Sequence, residues 1–551
     1  MARRIDQTDS STPDKRENSA KNHRELGIVI AAWVVLSLGA IVLALQNLSV
    51  PGLYYDEAVF AGLARDFVTG QHRLHTPGFE ILTILGRPFP LFVQFYLGAL
   101  KSWLLIPALT VFGSKIAVLR LTSLSTALIA LLFFMLGVRR WIGLRVALLA
   151  GALLAIDPTF FFLGVLDWGA AISGLLCRCL AFYLLVLWWQ RRKLPYLFVA
   201  ALFLGLGFFN KVDFAAFIIG AGIGLLLFCR RQVWNRICER WSVAPIFLFG
   251  LLLGAGPILF HLAHIVTFAA SGQNSAGPNE LSEKLNTLMA MYDGSYFYRL
   301  MQEGGVFSQM YLRPAGFHSL LPLFMILVIP ALGGITILCR RQELRAISGF
   351  LLVGFGLTTI GLILIPGAVR IHHTVLAYPF PQLMIAASCT FLWEQPWRTP
   401  LVRLTRIVLC VAIVLLTGTQ LLAIWKTEHL LAETGGRGRW SNAFDAFCYE
   451  NRDRSDLIII SLDWGFNEQL AFLTNRPQLA EPIWALQTRQ GSLPSLPARP
   501  DDIYLVHAPE YSLLQYDVSY LEDARARTDA EIQSYSDRQG RVVFYTIRFQ
   551  Q

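Results

Sequence analysis

About eleven apolar stretches, each close to the length that crosses a bilayer, constrain this chain more than any other feature. They lie near 26–46, 119–138, 145–163, 169–189, 195–209, 214–229, 243–263, 318–338, 347–367, 374–394 and 405–425. A helix needs about 20 apolar residues to span the hydrocarbon core. Only 15% of the residues are charged, against about 25% in a soluble chain. The expected fold is a polytopic α-helical membrane protein of about 11 transmembrane helices. The net charge of +10 does not point to nucleic acid, because the Lys and Arg residues sit mainly between the apolar runs. The eight cysteines are scattered without a CxxC spacing, which indicates neither a disulfide framework nor a zinc site. Residues 1–25 are polar and of mixed charge, and read as a disordered cytoplasmic tail. The run that follows is too long for a signal-peptide core and reads as an anchor.

Basic clusters orient the spans. Arg139-Arg140 with Arg145, Arg191-Arg192-Lys193, Arg230-Arg231 with Arg236, Arg340-Arg341 with Arg345, and Arg398 with Arg403 and Arg406 fall in every second loop. Positive loops stay in the cytoplasm, so the N-terminus is expected inside and the C-terminus outside. Stretch 91–113 is apolar enough to resemble a span, but counting it would place Arg139-Arg140 outside. It also carries Lys101 and Pro107. It therefore reads as a juxtamembrane or re-entrant segment within a large first outer loop, 47–118. The stretches 195–209 and 214–229 read as two half-length helices meeting at Asn210-Lys211-Val212-Asp213. A second outer loop, 264–312, carries Gly272, Asn274, Gly277 and Pro278 and is expected to hold short helices, one near 279–292.

The division expected is a tail, 1–25, a membrane domain, 26–426, and an outer α/β domain, 427–551. In the last, runs rich in Ile, Val, Tyr and Phe at 456–462, 503–507 and 541–549 read as strands. Helical stretches at 443–450 and 467–473 alternate with them.

Ionisable groups at a membrane are costly and mark function by default. On the outer face these are Asp56-Glu57, just past the first span; Asp167, between the third and fourth; Lys211 and Asp213; Arg370-Ile371-His372-His373; and Lys101 and Arg87 in the first outer loop. Lys211 and Arg370 are cations in very short outer loops, where positive charge is disfavoured. A bound anion would account for both, and pairing with a neighbouring carboxylate such as Asp213 or Asp167 would too.

These residues resemble those of the GT-C glycosyltransferases, the group that includes the protein O-mannosyltransferases and the lipid A aminoarabinose transferase. Tyr55-Asp56-Glu57-Ala58 is similar to the group's acidic pair after the first span. The stretch 94–101 through Phe112-Gly113, followed by Arg120-Leu121, resembles its membrane-parallel helices. Gly205-Leu206-Gly207-Phe208-Phe209-Asn210-Lys211 resembles its Gly-Leu-x-x-x-(Thr/Asn)-Lys element. Tyr378-Pro379-Phe380-Pro381 is similar to a late Tyr-x-x-Pro-x-x-Pro region, although His372-His373 beside it departs from the general pattern.

The resemblance implies a GT-C-like membrane domain in the cell (inner) membrane, and transfer of a sugar from a polyprenyl-phosphate-linked donor. The acceptor would be a lipid, glycan or protein at the outer face, with inversion. It implies Asp56 as the base, with Glu57 orienting Asp56 or the acceptor. Lys211 and Arg370, and more weakly Lys101, would face the donor phosphate. Tyr55 and Asp167 would hold sugar, while His372 and His373, outside the group's pattern, are candidates to contact the phosphate, hold sugar or ligate a metal. Asp56 and Asp167 are also the candidates for a divalent metal (Mg or Mn). Two alternatives remain at this level, a secondary transporter and a non-catalytic envelope-assembly protein.

Overall fold

In the computed structural model, residues 15–71, 80–270, 280–367, 369–394, 400–454, 457–475, 502–513 and 515–550 are described. Gly272, Asn274, Gly277, Pro278 and Arg398 lie outside them. Helix α1, Lys15–Gln46, carries the first span. Residues 15–25, expected in a disordered tail, form its polar first turns, whose Lys21 and Glu25 are spaced to support a helix.

The outer loop that follows holds helix α2, Tyr55–Thr69, and an antiparallel sheet in the order β1-β2-β3. The strands are β1, Glu80–Ile84, β2, Arg87–Gln94, and β3, Leu97–Gly98. Helix α3, Leu100–Phe112, closes the loop. Stretch 91–113 is thus part strand and part helix. At 13 residues, α3 is about 20 Å long, short of the ~30 Å core.

The bundle continues as α4, Ile116–Trp141, α5, Leu144–Ala155, α6, Pro158–Leu166, α7, Ala171–Arg191, α8, Leu194–Asn210, α9, Phe214–Glu239, and α10, Val243–Leu259. Short helices α11, Leu262–Ala270, α12, Glu280–Tyr292, and α13, Tyr296–Gln302, occupy the second outer loop. Then come α14, Leu321–Leu338, α15, Gln342–Leu364, α16, Ile371–Thr374, α17, Phe380–Trp393, and α18, Pro400–Thr434. The expected spans fall on helical segments, 145–163 on the two helices α5 and α6 and 374–394 mainly on α17. Among the described residues, eight helices are long and apolar enough to cross a membrane, and nine if α5 and α6, bent by 62° at Ile156-Asp157, form one span. Helices α8 and α10 are shorter apolar helices. Helix α9 is not half-length, because its last turns run past Arg230 and Arg231 to Glu239.

The basic loops share one face. Arg140 and Gln190 exchange hydrogen bonds, Arg192 pairs with Glu239, and Arg145 meets Glu394 at 3.0 Å. Arg139 donates to the carbonyl of Asn22 at 3.1 Å, so the start of α1 lies on that face too. The opposite face carries α2, the α6–α7 turn, the α8–α9 turn and α16.

Asp157 explains how the bent pair holds. Its carboxylate caps α6 by accepting from Phe160 N–H at 3.1 Å. It also accepts from Tyr378 at 3.1 Å and Gln382 at 3.0 Å. A buried carboxylate without a cation needs such saturation by donors.

After α18 the chain forms helices α19, Ala443–Glu450, α20, Asn467–Leu473, and α21, Gln515–Arg525, with strands β4, Ile459–Ser461, β5, Ile503–His507, β6, Ala530–Ser536, and β7, Val542–Phe549. The mixed sheet runs β4-β5-β7-β6, and only β4 and β5 pair in parallel. The strap entering this region contains Gly435, Gly436 and Gly438, all at positive φ. A Cβ on Gly436 would lie 1.8 Å from the Trp440 carbonyl, so only glycine fits there.

Candidate functional site

Asp56 sits in the first turn of α2. From Val50 to Asp66 every residue is buried except Asp56, which keeps partial access to solvent. Three contacts fix that turn. Leu53 N–H donates to Asp445 of the α/β region at 3.1 Å. Gly52 N–H donates to the Trp440 carbonyl at 2.8 Å. Tyr54 stacks on Trp440 with centroids 4.0 Å apart.

Glu57, expected at the catalytic edge, points away from it. Its two oxygens accept from Arg120 Nε and Nη2 at 2.8 and 3.0 Å, with both side chains buried. Arg120 also donates to the carbonyls of Leu48, Pro51 and Gly52. The pair joins the exit of α1 to the start of α2 and α4.

Asp56 instead accepts from the indole N–H of Trp168. Trp168 follows Asp167, which ends α6 in the left-handed region at φ 46°, a conformation that Asp tolerates. The indole is buried among Tyr54, Trp440, Phe307 and His372, at centroid distances of 5.7, 5.7, 6.0 and 5.5 Å. Burial raises the Asp56 pKa above the ordinary carboxylate value; the Trp168 hydrogen bond and the charges of Lys211, Lys101 and Arg370 pull it back only in part. Asp56 in turn helps burial push the Tyr96 phenol up to about 12. Tyr96 is therefore a neighbour that the sequence alone did not single out as a site residue.

The cations are arranged around this carboxylate. Asn210 ties the end of α8 to the start of α7, donating to the Ala170 carbonyl at 2.8 Å and accepting from Ser173 at 2.7 Å. Lys211 follows it, buried, 3.4 Å from Asp213 and 3.4 Å from His373 Nε2. His373 Nδ1 meets Asp213 at 2.8 Å. Burial lowers the Lys211 pKa, and the charges of Asp213 and Asp56 offset this in part. Arg370 pairs with Glu283 and lies over the Phe307 ring at 3.7 Å. His372 is near Trp168, and its buried Nδ1 has no hydrogen-bond partner.

Lys101 is engaged differently. Its Nζ donates to the Asp167 carbonyl at 2.6 Å, lies 3.4 Å from the Asp167 carboxylate, and sits over the Phe60 ring. Lys101 and Asp167 thus form a buried pair beneath the site. Tyr55 packs against Trp464 of the α/β region, 4.3 Å between centroids. Trp464 is half-exposed, and Arg439, paired with Asp463, fixes its turn by donating to its carbonyl; His507 Nδ1 meets the same Asp463 carboxylate at 2.7 Å.

The carboxylates proposed for a divalent metal, Asp56 and Asp167, already have partners, although Asp167 Oδ1 is buried with none. Asp56 receives the Trp168 N–H, Asp167 is held by Lys101, and among the described residues no group of three or more His, Cys, Asp or Glu side chains could hold an ion.

Replacing Trp168 with Phe removes the hydrogen bond that favours the ionised form of Asp56. Its pKa then rises further. If the carboxylate must be ionised to act, the acid limb of the kcat/KM profile moves to higher pH. A limb that stays in place or moves down would show that Asp56 does not govern it.

Residues 99–260, which run from α3 through α10, match the family model described as dolichyl-phosphate-mannose-protein mannosyltransferase. No curated protein matches the chain by sequence. Among solved structures, the chain is similar to ArnT from Cupriavidus metallidurans bound to undecaprenyl phosphate, with TM-score 0.53 and 13% identity over 93% of this chain and 98% of that one. The apo form of the same protein gives TM-score 0.55 and 14% identity, covering 94% and 98%. The Archaeoglobus fulgidus oligosaccharyltransferase tethered to an acceptor peptide gives TM-score 0.51 and 16% identity over 83% of this chain, which spans 64% of that enzyme's length. With the fold shared along nearly the whole of one such structure, this chain is a multi-pass membrane protein with the fold of the ArnT structures, its residues 99–260 matching the mannosyltransferase family model.

Proposed function

We propose that the chain transfers a sugar from a polyprenyl-phosphate-linked donor to an acceptor hydroxyl at the face that carries Asp56, with inversion. The observation that carries this reading is Asp56, a partly accessible carboxylate at the start of α2, within the electrostatic reach of Lys211 and Arg370. The acceptor oxygen attacks the anomeric carbon and its proton passes to Asp56. The bond to the lipid phosphate breaks on the opposite side, and the phosphate leaves with its electron pair. Lys211 and Arg370 stabilise the charge that develops on it. Asp213 and Glu283 hold these cations until the donor arrives. His372, His373 and Tyr55 line the sugar side. Asp167 positions Lys101, and both support the site from beneath.

The related ArnT binds undecaprenyl phosphate and the related oligosaccharyltransferase takes an acceptor peptide, which supports this donor and acceptor side. The shared face of the basic loops supports a cytoplasmic N-terminus and an extracytoplasmic region 427–551, with the chain in the cell (inner) membrane. Mass spectrometry of envelope lipids, glycans and proteins with and without the gene tests the proposal. The expected result is the loss of one glycosyl group from one acceptor and accumulation of its lipid-linked donor. Identical profiles would refute it.

A further inference from the structure

The hairpin β1–β2 is built unlike a water-exposed ribbon. Ile81, Leu82 and Ile84 of β1 are all exposed, and Leu85 at the tip is 96% exposed. Leu85 adopts φ 52° and Gly86 φ 74°. Such a two-residue turn favours Asn or Asp at its first position in water. A leucine there is both strained and uncovered, and strain of this kind clusters at functional positions. Strand β1 is also the edge of its sheet, and an exposed apolar edge in water invites aggregation.

The hairpin is continuous with the lipid-facing surface of the bundle. Glu80 meets His261, just past the outer end of α10, at 3.2 Å. Phe95 stacks on His264 of α11 at 4.4 Å. Around these contacts Phe260, 89% exposed, with Leu262 and Val266 extends the same apolar surface. On the other side Pro90 accepts from Trp103 of α3 at 2.7 Å, and α3 exposes Val111 and Phe112.

We propose that this hairpin is a membrane finger whose tip, Leu85 with Ile84 and Leu82, lies in the leaflet on the Asp56 side. The backbone sets its depth. Among the described residues no strand pairs with the outer edge of β1, whose N–H and C=O groups need partners that the hydrocarbon core does not offer. The finger therefore sits at the headgroup–acyl boundary, about 5–10 Å deep like other interfacial elements. Arg87 donates to the Val68 carbonyl at 2.7 Å, so the finger fixes one end of α2 at the membrane surface. The Glu57–Arg120 pair fixes the other end, beside Asp56.

The test uses the full chain in phosphatidylcholine–phosphatidylglycerol proteoliposomes, with the native cysteines replaced and a nitroxide placed by Leu85→Cys or, separately, Leu82→Cys. References are Leu253→Cys on the lipid face of α10 and Asp523→Cys on exposed α21. Collisions with oxygen and with a water-soluble nickel chelate are measured. The expected result is high oxygen and low nickel accessibility at both hairpin sites, with an apparent depth shallower than at 253. Nickel accessibility as high as at 523 would overturn the proposal. So would exclusion of both reagents, which would mean that protein covers the hairpin, and so would a depth equal to that at 253.

Discussion

Asp56→Asn is expected to remove most sugar transfer while folding and membrane insertion stay nearly unchanged. The amide is isosteric with the carboxylate and can still accept from the Trp168 indole N–H, so the turn at the start of α2 keeps its shape. What disappears is the group proposed to take the acceptor proton, and loss of a positioned base costs about 10²–10⁴-fold in rate. Glu57 cannot substitute, because both of its oxygens are committed to Arg120. The measurement is the initial transfer rate at saturating donor, with thermal unfolding of the same preparations as the control. A near-normal rate would remove Asp56 from the chemistry.

Arg120→Ala has its largest effect on stability. Breaking one partner of a buried ion pair costs about 3–5 kcal/mol, because the remaining charge stays buried and unpaired. Here the loss also strips donors from the Leu48, Pro51 and Gly52 carbonyls. Glu57→Gln is milder, since the amide still accepts and Arg120 keeps those three carbonyls. Tm values of detergent-purified protein should fall steeply for Arg120→Ala and modestly for Glu57→Gln. Equal Tm values for wild type and Arg120→Ala would mean that the pair does not hold the catalytic turn.

The spans were legible because apolar runs and basic loops carry their own record of depth and side. The outer sheet was not. Strand β2 holds Pro88 and Pro90, which argue against a strand, and its apolar second half merges with α3 into what resembles a span. Strand β6 and helix α21 escaped notice because they are polar elements at the margin of their sheet, with β6 mostly exposed. In the site, Asp56 and Lys211 stood out as charges at helix ends. Their settings did not, because Glu57 pairs with Arg120 across 63 residues and Asp56 meets Trp168 across 112. Arg120 did offer a signal, as a charge inside an apolar run. Trp440 and Trp464 gave none, since only the folded chain brings the α/β region against Tyr54 and Tyr55.

The reading of this face as a donor-phosphate site stands on Lys211, a buried ammonium whose nearby carboxylates do not fully compensate its burial. A phosphate would supply a further anion, and the contact would strengthen as the phosphate leaves. Lys211→Arg should retain part of this, since charge survives while the compact ammonium geometry does not. The deciding measurement is the affinity of purified wild-type and Lys211→Ala protein for a short-chain polyprenyl phosphate. The account predicts binding by the wild type and clearly weaker binding by Lys211→Ala. Equal affinities would take Lys211 out of the phosphate site, and no binding by either protein would contradict a polyprenyl-phosphate-dependent transferase and favour a transporter.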